Sequence, residues 1–137
     1  MRPSLTIVSL LVGPLVLAGC GGGSSGLTGQ QRLQTGQVCV DVAGSVSTAA
    51  QVGLKLANGS ITQADATARL QPIEKHVSDL ATQNTSLPVG ASLKQLADSI
   101  SKIQTVSPSN AADVRAGGTQ LTTASKDLLT SCAAVRH

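Results

Sequence analysis

The feature that most constrains the fold of this chain is a spacing. From Thr28 onward, aliphatic and small residues recur three or four positions apart in four separate runs. The first run is Cys39, Val42, Val46, Ala49, Gly53 and Leu56, and the second is Leu70, Ile73, Val77 and Leu80. The third is Val89, Leu93, Leu96, Ile100 and Ile103. The fourth is Val114, Gly118, Leu121, Ser125, Leu128, Cys132 and Val135. Steps of three and four place each run on one face of a helix. No run shows the two-residue alternation of a strand.

The punctuation between the runs agrees with helices. Thr28-x-x-Gln31 has the form of a capping box, and Asn58-Gly59 is a stop. Thr62-x-x-Asp65 resembles a second box, and Pro88 suits a first helical turn. The fourth helix is expected to open at Ser107-Pro108 or at Asn110. Two places strain the pattern. Pro72 lies inside the second run and is expected to kink or split it, because proline lacks the N–H and crowds the preceding turn. Gly117-Gly118 costs on the order of 1 kcal/mol per glycine against alanine, and suits a bend or a close helix approach.

Four amphipathic segments with short connections predict an all-α fold: an antiparallel four-helix bundle in up-down-up-down order. The chain has no Phe, Tyr or Trp, so its core must be made of Val, Leu, Ile and Ala. That absence also excludes sites that work by stacking on sugars or bases, or by caging a cation. The formal charge is +3, without a Lys/Arg cluster, so no nucleic-acid partner is expected. In the up-down-up-down order the start of helix 1 lies near the end of helix 4. Cys39 and Cys132 fall in those two places, both on apolar stripes, and are predicted to form a disulfide that staples the bundle.

The search for chemistry returns little. His76 is the one internal histidine, with Asp79 three residues on, and no second histidine or cysteine stands at metal-ligand spacing. It is read as part of a solvated helix face, and His137 as a terminal residue. The carboxylates at 41, 65, 74, 79, 98, 113 and 127 are scattered singly, and Asp65, Asp98 and Asp113 read as helix-start or surface charges. There is no G-x-S-x-G elbow and no phosphate loop. Gly21 to Gly26 fits G-x-G-x-x-G, but no strand precedes it. No catalytic residue, cofactor or metal is therefore expected.

The N-terminus is more specific. Arg2 is followed by a mostly apolar run from Leu5 to Ala18, broken by Gly13-Pro14, in the manner of a secretory signal peptide. The run is too short for a transmembrane helix, which needs about 20 apolar residues. Leu17-Ala18-Gly19-Cys20 matches a lipobox at all four positions, so this N-terminus resembles that of bacterial lipoproteins. The resemblance implies cleavage between Gly19 and Cys20 and a diacylglyceryl group on the Cys20 thiol. It also implies export, the setting in which Cys39 and Cys132 would oxidise. The high Ala, Thr, Ser, Gly and Val content with little Lys resembles actinobacterial proteins. The two Asn-x-Ser sequons, at Asn58 and Asn84, are expected to be idle in a bacterium.

The expected organisation is a signal peptide at 1–19, a lipidated cysteine with a Gly/Ser tether at 20–29, and a helical domain at 30–137. The expected function is non-enzymatic. It is an interaction or scaffold module of the cell envelope, lipid-anchored on the extracytoplasmic face of the cell membrane and serving an envelope protein partner. The alternative is a helical-bundle carrier or sensor of a small apolar ligand or lipid, bound in a cleft opened by Pro72 and Gly117-Gly118.

Overall fold

A computed structural model describes residues 27–135. The signal segment, Cys20 and the Gly/Ser stretch lie outside the described residues, as does His137. The described residues form four helices: α1 (Gly29–Ala57), α2 (Gln63–Gln83), α3 (Pro88–Thr105) and α4 (Ala111–Ala133). No strand occurs among them, and none of the helices is long and apolar enough to cross a membrane.

Local chemistry sets the helix ends. The Thr28 backbone N–H donates to Gln31 Oε1 at 3.0 Å, and the Gln31 N–H donates to Thr28 Oγ1 at 3.2 Å. Both halves of the capping box are thus made. Thr28 and Gly29, counted above with the tether, therefore belong to the start of α1. That helix stops at Asn58, and Gly59 adopts φ +76°, a left-handed backbone that glycine takes without a Cβ clash. Thr62 caps α2 by accepting from the Asp65 N–H, and Pro88 stands in the first turn of α3. Of the two openings considered for α4, Asn110 is the cap: its Oδ1 accepts from the Asp113 N–H at 3.2 Å.

Pro72 does not split α2, which runs unbroken from Gln63 to Gln83. Pro72 and Ala68 are both exposed, so the carbonyl that loses its helical donor faces water rather than the core. Meanwhile Leu70, Ile73 and Val77, on either side of the proline, are buried and hold the helix onto the bundle.

Each helix packs on two others in a ring, α1 on α2, α2 on α3, α3 on α4 and α4 on α1, and the α1–α2 seam is the thinnest. Near its start α1 is bonded to the end of α4 through Cys39–Cys132, with a Cα–Cα distance of 5.7 Å. Near its end, Gly53 packs against Gly118 in the first half of α4. One contact at each end sets these two helices running in opposite directions. Ser92 and Ser131 share a hydroxyl hydrogen bond of 3.0 Å, while Gly117 lies against Ile103, which gives α3 and α4 opposite senses too.

The core is aliphatic and closed. Val42, Val46, Leu56, Leu70, Val77, Leu93, Leu96, Ile100, Leu121 and Leu128 are essentially inaccessible to water. They belong to the four predicted stripes. The buried hydroxyl of Ser125 is satisfied by the Leu121 carbonyl at 2.8 Å. Every buried side-chain polar atom among the described residues has a partner, so the core carries no uncompensated polar cost.

Candidate functional site

Cys20, the residue expected to carry a lipid, lies outside the described residues. The structure shows the point where the chain leaves that segment. It enters α1 at the Thr28 capping box, at the same end of the bundle as the Cys39–Cys132 disulfide. A pull on the N-terminus would therefore meet a capped helix that is covalently joined to α4 within a few turns.

The side chains that hold catalytic promise are not assembled. His76 is exposed, and its Nε2 lies 3.4 Å from the Asp41 backbone carbonyl on α1. Asp79, the partner considered for it, is bonded to Lys75 Nζ at 3.0 Å instead. Glu74 Oε2 accepts from Gln104 Nε2 on α3 at 2.6 Å, which engages it in holding α2 to α3. Asp98 pairs with Lys94, and Asp65 and Asp113 sit in the first turns of their helices, where a negative charge meets the positive helix end. No group of three potential metal ligands gathers among the described residues.

The clefts are surface features. One of about 560 Å³ lies beside Pro72 and is lined by polar neighbours on the same helix, among them Glu74, Lys75 and Asp79. Another, of about 520 Å³ between α3 and α4, is lined by Lys94, Asp98 and Lys102. The most apolar, of about 360 Å³, lies at the end of the bundle where Leu56, Ile61 and Val114 meet, with Arg115 beside them. Pro72 opens no gap into the core, and Gly117-Gly118 is filled. A Cβ added at Gly118 would stand 2.6 Å from Ala57 N and from Gly53 O, and one at Gly117 would stand 3.2 Å from Ile103 Cγ1. The glycine pair serves close helix approach, not a cleft.

The structure also exposes a feature outside the predicted stripes. Leu33, Val40 and Leu54 of α1 are 78%, 71% and 56% accessible, on the face opposite the core. The signal was present as a seven-residue spacing, but it runs beside the stronger core stripe of the same helix and was hidden by it.

Comparisons of this chain with protein-family models, with characterised proteins and with solved structures find no match.

Proposed function

We propose that this protein is an exported lipoprotein, anchored through Cys20 to the outer face of a bacterial cytoplasmic membrane. There its helical bundle acts as a non-enzymatic interaction or scaffold module. The observation that carries the reading is Leu17-Ala18-Gly19-Cys20 after an apolar run with one early positive charge. The residue types suit the chemistry: a thiolate is the nucleophile that accepts the lipid, and small residues before it leave room for a protease. A disulfide-linked domain supports export, since such bonds persist in oxidising compartments. The filled core supports a surface that binds over a cavity that carries.

The test is substitution of the anchor. Two or more long acyl chains hold a protein stably, at about 0.8 kcal/mol per buried CH₂. Cys20→Ala is expected to leave the precursor uncleaved and free of labelled fatty acid, and wild-type labelling of that variant would refute the assignment. Crosslinking in the native envelope, followed by mass spectrometry, then identifies what the bundle holds. A recurrent protein supports the scaffold reading, and co-purifying lipid supports a carrier instead.

A further inference from the structure

Helix α1 carries a line of exposed aliphatic residues on the side away from the core, flanked by Gln37 and Gln51. Its inner face, with Val42, Val46, Ala49 and Leu56, is buried in the bundle. On the opposite side Leu33, Val40, Ser47 and Leu54 follow one another at steps of seven, and all four are exposed. Gly36 and Gly44 lie beside this line, where an added Cβ would meet nothing within 4 Å. No charged residue falls on the line, since Arg32, Asp41 and Lys55 lie off it. The outer faces of α2 and α3 instead carry the ion pairs Lys75–Asp79 and Lys94–Asp98. A surface helix normally turns a polar face to water, so Leu33, Val40 and Leu54 on one line mark the part of α1 that a partner would cover.

The character of the line selects what covers it. With Gly36, Ala43 and Ala50 three residues on from Leu33, Val40 and Ser47, the line has the three-four spacing by which one helix packs on another in a two-stranded seam, with small residues at every second position. In parallel register each position meets its own copy, Leu33 on Leu33, Val40 on Val40 and Leu54 on Leu54, about a two-fold axis. A line with charges of one sign would repel its own copy in that arrangement, and this line has none. A lipid surface fits less well, because helices that lie in a membrane interface carry Lys/Arg beside a Trp, Phe or Leu face. Size matters as well. One helix pair buries less than the roughly 1,200 Å² of a stable interface, so free copies would pair weakly. The chain before α1 offsets this on the anchored reading, on which the present inference rests. Only seven residues lie between Cys20 and Thr28, and the eight steps from one to the other reach at most about 26–29 Å. Both copies would then enter α1 at similar heights above one bilayer, in the register that parallel pairing needs and at raised effective concentration.

We propose that the outer face of α1 is a dimerisation surface, on which a second copy of this chain packs through Leu33, Val40, Ser47 and Leu54 in parallel register. The test uses the full chain produced in cells. Ser47→Cys is placed at the middle of the line, and Ser78→Cys, exposed on α2, is the control. After mild oxidation, Ser47→Cys is expected to give a product of twice the chain mass, well above the control. Adding Val40→Lys should cut that product about tenfold by removing apolar contact and introducing like charges. Val40 is exposed, so an unchanged thermal melt shows that the loss is not unfolding. A membrane-bound chain that crosslinks no more through position 47 than through position 78 overturns the dimer while leaving the anchor intact. A chain absent from the membrane fraction overturns the anchor. The same comparison is then made on the released chain, where no excess over the control overturns the dimer as well. A crosslinked product of any other mass replaces the second copy with a different partner.

Discussion

The α1–α4 and α2–α3 seams solve the same packing problem under different chain constraints. Helices α2 and α3 are consecutive, joined through residues 84–87, so bringing them together costs little loop entropy. Ordinary aliphatic burial and a few side-chain hydrogen bonds suffice there, including the donation of Gln63 Nε2 to the carbonyls of Ile103 and Val106. Helices α1 and α4 are the two ends of the domain, and their linked cysteines stand 93 positions apart. That seam has a covalent bond near one end and a glycine crossing near the other, where Gly53 and Gly118 let the backbones touch. The difference teaches that, without aromatic side chains, the most distant pairing in this chain uses the strongest fastenings.

Reduction tests the contrast most severely. In the chain-entropy account, a loop of this length makes the disulfide worth about 4–5 kcal/mol. Breaking it should lower the thermal midpoint by more than about ten degrees, since 1 kcal/mol moves a domain of this size by about 3–6 °C. A reduced protein melting within two or three degrees of the oxidised one would show that the glycine crossing and the core hold α1 to α4 unaided.

The crossing itself comes next. Gly118→Ala sets a methyl against two backbone atoms that cannot rotate away, and overpacking of that kind costs about 1–3 kcal/mol. Gly44→Ala, with open space around it, should instead stabilise α1 by roughly 0.5–1 kcal/mol through helix propensity. Opposite signs in denaturant melts are the expected result. The smallest loss belongs to the α2–α3 seam, where Gln63→Ala removes the bonds to Ile103 and Val106 at a cost of about 1 kcal/mol. A loss larger than that for Gly118→Ala would reverse the ranking of the two seams.

Much of this architecture was legible in the residues, for reasons of local chemistry. Helix type follows from the three-four spacing, and in α3 the predicted set of Val89, Leu93, Leu96, Ile100 and Ile103 is the buried aliphatic set of the helix itself. Thr28, Asn58 and Asn110 act as caps because a side chain or backbone turn a few positions away meets an unsatisfied helix end. Among the described residues, His76, Asp79 and Glu74 stand apart along the chain, and each meets a partner that the helix packing supplies: the Asp41 carbonyl, Lys75 and Gln104.

Local spacing and chemistry were enough to give the elements of the described residues: four helices, their caps and inner faces, and a cysteine pair placed to join the first of them to the last. Those features depend on neighbours within a few positions, or on a shared register along one stripe. Tertiary structure decided the rest. Whether Pro72 breaks its helix depended on which way the orphaned carbonyl faced, and it faces water. Gly117-Gly118 suited a bend as well as a contact until Gly53 and Ala57 were brought against it. Gly90, with room for no Cβ beside the Asn84 carbonyl, is required only because the α2–α3 loop folds back onto it. The apolar line of Leu33, Val40 and Leu54 stood out as exposed only once the other face of α1 had been buried. In each case the deciding quantity was the distance to an atom remote in the chain, and local spacing does not contain it.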